Sequence, residues 1–160
     1  MAARTWRFFD RYLKAREVDT FADDGIGYND AEDFLHACFQ CCWHIKDWIA
    51  NDDSIPSAAR ALINAAAHGD EHLRIIQGFA NGTKHLELKG RGSEKQLRVE
   101  DSEVELYEKP GGGVALRLFL HVKDANTRIA ADDAIRLGMK AWARILDEHG
   151  LSFPVDHPHP

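Results

Sequence analysis

The chain has 160 residues, 44% of them apolar and 29% charged, with a formal net charge of −6. This length suits one domain able to bury roughly 70% of the surface its unfolded chain exposes, and the acidic balance excludes a general electrostatic binder of nucleic acid, though not a local basic groove. No run approaches the ~18 apolar residues of a membrane span, and the opening residues lack the long apolar segment of a secretory signal, so a cytoplasmic protein without membrane contact is expected.

Thr5 reads as the N-cap of a first helix that carries Trp6, Phe9 and Leu13 at helical spacing and fades near Phe21. Asp23-Asp24-Gly25-Ile26-Gly27 then reads as a connector. As a calcium loop it lacks the later ligands and terminal Glu of an EF-hand. Asn29 with Glu32 resembles a capping box opening a second helix that runs to about Ala50. Phe34, Cys38, Cys41, Cys42, Ile45, Trp48 and Ile49 cluster on one face of it, and His36, Gln40, His44 and Asp47 line the other, with Trp43 at the margin. The three cysteines are expected reduced, buried and free of metal, because a free thiol facing a core behaves as a small hydrophobe. Cys38-x-x-Cys41 lacks the βαβ surroundings of a redox pair and the fourth ligand of a zinc site.

One of Asp52, Asp53 or Ser54 is expected to cap a short alanine-rich third helix, with Pro56 in its first turn and Leu62 and Ile63 as its main core residues. His68-Gly69-Asp70-Glu71-His72 matches the inverted zinc-peptidase pattern H-x-x-E-H, which requires both histidines on one helix. Gly69 as a C′ residue and Asp70 as the next N-cap would instead place them on two. The fourth helix, Asp70 to about Leu86, sets Ile75, Ile76, Phe79, Ala80, Thr83 and Leu86 on one face and Arg74, Gly78, Asn81 and His85 on the other. Gly78 and Gly82 leave a bald strip beside Asn81 and His85. Each mid-helix glycine costs about 1 kcal/mol against alanine, so the strip reads as a contact surface for a partner helix, the β-hairpin or a second subunit.

Residues 88–93 form a Gly-rich connector, after which the apolar period changes to two. Val114, Leu116, Leu118, Leu120 and Val122 alternate with polar and small residues, preceded by the turn Lys109-Pro110-Gly111-Gly112-Gly113. The earlier strand has Leu97 and Val99 at odd positions but Val104 and Leu106 at even ones, so a bulge or break near Asp101-Ser102 is needed to restore one face. A β-hairpin over about 96–123 follows. Ile135, Met139, Trp142, Ile145 and Leu146 stripe a closing helix that ends at His149 and Gly150, and residues 154–160 read as a poorly ordered tail. The whole is a single mainly α (α+β) domain over 1–153.

His44 and Asp47 at i, i+3 allow a carboxylate to orient an imidazole for acid–base work. If the second and fourth helices pair, His36, His44 and Asp47 would meet Arg74, Asn81, Lys84 and His85 at the edge of their contact. As solvated helix faces the same residues contribute only a few tenths of a kcal/mol per pair.

Trp43-His44-Ile45-Lys46-Asp47-Trp48-Ile49 followed by Ala80-Asn81-Gly82-Thr83-Lys84-His85 resembles a group of bacterial and phage-associated helical proteins that are similar to the HEPN superfamily. The resemblance covers about residues 30–87. It implies a HEPN-like helical bundle with an inserted β-hairpin and a closing C-terminal helix, a homodimer with a protein or RNA partner, a link to phage or bacterial defence, and no metal or other cofactor. Active members are metal-independent ribonucleases using an arginine, four to six intervening residues and a histidine. His85 would match that histidine, with Asn81 and Lys84 beside it as candidate catalytic groups, but positions 78, 79 and 80 are Gly, Phe and Ala. No guanidinium stands where the pattern needs one to hold a phosphate. Arg144 and His149 fit the spacing literally at the end of the last helix, a match that chance supplies in a chain this rich in both. The resemblance thus implies a non-catalytic interaction module, with a divergent ribonuclease using His85 as the alternative.

Overall fold

The structure, a computed structural model, describes residues 2–19, 26–82, 98–108, 114–124 and 127–153. Helices dominate it: α1 (Ala2–Ala15), α2 (Ile26–Trp43), α3 (Ile45–Ala50), α4 (Ser57–Gly69), α5 (Glu71–Gly82) and α6 (Ala131–Asp147). The strands are β1 (Glu17–Asp19), β2 (Arg98–Glu108), β3 (Val114–Asp124) and β4 (Thr127–Ala130). The fold is mainly α.

Helix α1 begins before Thr5, which is buried inside it rather than capping it. Its apolar side carries Trp6, Phe9 and Tyr12 into the core, with Leu13 half-buried, and the helix stops at Ala15, short of Phe21, giving way to β1. Tyr12 Oη donates to Asp132 Oδ1 at 2.8 Å, and Arg16 pairs with the other oxygen of the same carboxylate. Asp132 lies in the first turn of α6, where a negative charge also favours the exposed N–H groups. One carboxylate therefore ties α1 to α6. Burial, then the Asp132 charge, push the Tyr12 hydroxyl pKa well above its ordinary value.

Helix α2 starts at Ile26, so Ile26-Gly27 belongs to the helix and Asn29 lies inside it rather than at its cap. Its core side is Ala31, Leu35, Cys38, Phe39, Cys41 and Cys42, with Phe34 only partly buried. Phe39 stacks on Phe79 of α5 with centroids 4.8 Å apart, and Trp142 Nε1 of α6 donates to the Cys42 carbonyl at 2.9 Å. Helix α6 crosses this layer closely because residue 138 is glycine: a Cβ there would sit 2.8 Å from Ile76 Cγ1 and 3.4 Å from Cys42 Sγ. All five expected stripe residues of α6 are buried. The helix closes as a Schellman motif, with Gly150 at φ +72°, Gly150 N donating to Asp147 O and Leu151 N to Leu146 O at 2.9 Å each.

At the α4–α5 corner Asp70 Oδ1 accepts from His72 N at 2.9 Å and Leu73 N at 3.0 Å, while Oδ2 meets Arg144 Nη2 of α6 at 2.7 Å. Asp70 is thus a true N-cap. His68 and His72 fall on separate helices, α4 and α5. Gly69 is the last helical residue of α4, without positive φ, rather than a left-handed C′. Asp52 caps a turn, not α4: Oδ1 accepts from Ser54 N and Oγ, and α4 begins after Pro56 without a side-chain cap. Ile63 is buried, but Leu62 is 59% exposed and so is not core. In α5 the buried residues are Leu73, Ile76, Phe79 and Ala80, with Ile75 half-buried.

Strand β3 is central, with antiparallel β2 along one edge and β1 and β4 paired with it as well. The β2–β3 register shifts between Val99 and Asp101, so odd-numbered Val99 and even-numbered Val104 and Leu106 oppose Val122, Leu118 and Leu116. The irregularity lies at Glu100, just before the expected position. Strand β4 runs directly into α6 and attaches the sheet to the helices. The expected connectors at 88–93 and 109–113, Phe21 to Gly25, and the tail 154–160 lie outside the described residues. Among the described residues no helix is long and apolar enough to cross a membrane.

Candidate functional site

The expected single helix from Asn29 to Ala50 is broken at His44, which adopts φ −70°, ψ −4° between α2 and α3. His44 N still reaches Gln40 O at 2.9 Å, and Asp47 N reaches His44 O at 3.1 Å, an i to i+3 bond that tightens the turn. Ile45 and Ile49 stay buried across the break, while Trp48 is 61% exposed. At ~100° per residue Trp48 stands about 80° from Cys38 even on a straight helix, and the short α3 turns Ile45 and Ile49 into the core it shares with α4, leaving Trp48 on its outer side. Trp43, expected at the margin, is buried, with the His68 ring edge-on at 5.1 Å and Lys46 Nζ 5.4 Å from the indole centroid.

Trp48 stands in an open groove of about 730 Å³ lined by Asp47, Trp48, Ile49, Asn51, Asp52 and Asp53. The groove follows the corner where α3 ends and the chain turns into α4. Its backbone is held from several sides: Asn51 Nδ2 donates to Asp47 O at 2.7 Å, and Arg60 Nη1 donates to Ala50 O at 2.9 Å. Two bonds from Ser54 hold the Asp52 carboxyl below the usual carboxylate range. Sequence reasoning missed this site. Helical spacing assigns Trp48 to the core; the signal the sequence does carry is the polar run Asn51-Asp52-Asp53 shortly after a tryptophan at the edge of its stripe.

The expected site residues divide into separate groups. His44 Nδ1 lies 3.6 Å from Asp47 Oδ2, an ion-pair distance longer than a formed hydrogen bond. Asp47 also pairs with Lys46. His36 is half-buried and faces Glu32 at 3.6 Å one turn earlier on α2. Helix α5 does pack on α2, but through Ile76 and Phe79, and Arg74 and Asn81 are exposed on its other side. Gly78 is half-buried and Gly82 is the last residue of α5. Lys84 and His85 lie outside the described residues. Arg144 of the literal Arg–His spacing is engaged by Asp70 and Glu148.

The cysteines are free and buried. Burial raises the pKa of Cys38 and Cys42 well above the ordinary value, Cys42 being enclosed completely; it also raises that of Cys41, against the opposing charges of Arg4, the amino terminus and Arg7. Neutral thiols without access are poor nucleophiles. Cys38 Sγ lies 3.8 Å from Thr5 O, a weak bond between α2 and α1. Among the described residues no group of three or more His, Cys, Asp or Glu is placed to hold a metal ion.

Comparison with family models, curated proteins and solved structures found no match to the chain.

Proposed function

We propose that the chain is a non-catalytic interaction module on a HEPN-like helical bundle, that it works as a cytoplasmic homodimer in phage or bacterial defence, and that it engages a protein through the α3–α4 groove. The observation that carries this reading is Trp48, 61% exposed between the buried Ile45 and Ile49. Burying a large apolar side chain is worth roughly 1.5–3 kcal/mol. A tryptophan left in a groove forgoes that stabilisation in the free protein and delivers it when a partner covers the ring. The chemistry around it supports binding rather than turnover. His44 and Asp47 stand 3.6 Å apart, longer than a formed hydrogen bond, and Asp47 is engaged by Lys46.

The alternative is a divergent ribonuclease using His85, and incubation of the purified chain with mixed RNA in EDTA separates the two. The module reading expects no cleavage above a His85→Ala control. Cleavage that survives EDTA and disappears in His85→Ala overturns it. Sedimentation of the same sample tests the dimer part of the proposal, which a monomer at assay concentration removes.

A further inference from the structure

Among the described residues that line the α3–α4 groove, Asp47, Asp52 and Asp53 are carboxylates and none is basic. They are not equivalent. Asp47 is already compensated by Lys46 and faces His44. Asp53 is fully exposed, and its contact with Arg60 is long, 3.5 Å, because that guanidinium is anchored on Ala50 O at 2.9 Å. Asp52 spends one oxygen, Oδ1, on Ser54, which fixes the carboxyl in place. The groove therefore offers an exposed indole face next to two outward carboxylates on one rigid corner.

We propose that the groove binds an arginine-bearing segment of a partner protein, the guanidinium lying on Trp48 and hydrogen-bonding to Asp52 and Asp53. A cation over an indole gains most when desolvated. Guanidinium is planar and weakly hydrated, so it stacks where a compact ammonium does not, and its fork of N–H donors matches a carboxylate. The same carboxylates repel a phosphate backbone, so RNA is not the occupant of this face. This proposal rests on the interaction-module reading and names the chemistry of the partner.

The test uses the full chain and a fluorescein-labelled peptide of four Gly-Arg repeats, followed by anisotropy at physiological salt, with a Gly-Lys peptide of equal charge beside it. Saturable binding is expected, with the Gly-Lys peptide weaker. Trp48→Ala, which leaves the charge unchanged on an exposed position, is expected to weaken the Gly-Arg peptide about tenfold, the equivalent of ~1.4 kcal/mol. Trp48→Phe restores part of it, and Asp52→Asn with Asp53→Asn loses a similar factor. Binding that is equal in wild type and Trp48→Ala overturns the proposal, since the net charge alone then attracts the peptide. So does equal affinity for both peptides, or a homodimer that Trp48→Ala dissociates, which makes a second copy the occupant. Failure here is separable from failure of the module reading: His85-dependent RNA cleavage sinks that reading whatever the peptide does.

Discussion

Replacing Gly138 by alanine reverses the ordinary expectation for a helix. Alanine in a helix interior is favoured over glycine by about 1 kcal/mol, and residue 138 lies in the middle of α6. The new methyl group, however, would stand 2.8 Å from Ile76 Cγ1, 3.1 Å from Ile76 Cδ1 and 3.4 Å from Cys42 Sγ. Carbon atoms in comfortable contact are about 3.5–4.0 Å apart, so Ile76 must retreat by up to roughly 1 Å. It has little freedom to do so: Ile76 and Cys42 are both fully buried, and a β-branched side chain is stiff at χ1. Overpacking of this kind costs about 1–3 kcal/mol. Set against the propensity gain, Gly138→Ala should destabilise the protein by about 1 kcal/mol, or roughly 2–4 °C in Tm at this size. Urea denaturation followed by circular dichroism measures it. Two comparisons sharpen the result. Gly69→Ala, with nothing within 4 Å of its Cβ, should be neutral or stabilising. In an Ile76→Ala background, which removes the clashing atoms, Gly138→Ala should become stabilising. A stabilisation by Gly138→Ala alone, equal to that of Gly69→Ala, refutes the close approach of α6 to α2 and α5.

Alkaline pH should weaken the fold. Cys38, Cys42 and Tyr12 have raised pKa values in the native state, so above the unfolded thiol pKa near 8.5 and the phenol pKa near 10 the unfolded chain loses protons that the native one keeps. Stability is complete below that range and falls above it, by up to about 1.4 kcal/mol per pH unit for each buried thiol. Urea midpoints between pH 8 and 10.5 should show the fall, shallower in Cys42→Ala, and a flat profile is incompatible with buried neutral thiols; a bulky thiol reagent should label the native protein slowly. Asp70→Ala removes the α5 cap and the Arg144 bridge together, from a side chain only 9% exposed. A loss of about 1–2 kcal/mol is expected, and Asp70→Asn, which retains a capping oxygen, should recover part of it; identical losses would mean the cap contributes little.

Local chemistry and periodicity made part of this fold legible. The α6 stripe is buried as its spacing requires. Asp70 caps because a carboxylate beside a glycine has few better uses at a helix corner. The switch from odd to even apolar positions in β2 announced a register shift, found one residue away. What was not legible depended on neighbours distant in sequence. Nothing in Trp43-His44-Ile45 breaks a helix by propensity, yet the chain tightens at His44, and Trp48 is left outside. Leu62 and Ile63 are chemically alike, and only the placement of α4 decides which is covered. Gly78 and Gly82 stand out in the sequence as helix-weakening residues, whereas Gly138, where an added Cβ would stand 2.8 Å from Ile76 Cγ1, is hidden between Ile135 and Met139 in an otherwise regular stripe. Of the candidate site, the His44–Asp47 approach was readable from an i, i+3 spacing; the Trp48 groove was not, because it is made by a corner rather than by a motif.

The Tyr12–Asp132 contact joins residues 120 positions apart, and Glu17 of β1 is registered with Arg117 of β3. Chains are synthesised at roughly 5–20 residues per second, so α1 leaves the ribosome some 6–24 seconds before the carboxylate that will hold it exists. During that interval α1, α2 and α5 present Phe9, Phe39, Ile76 and Phe79 with no α6 to cover them. Until α6 is made these side chains lack their native cover, so a chaperone that shields apolar helix faces is expected to raise the yield of native chains.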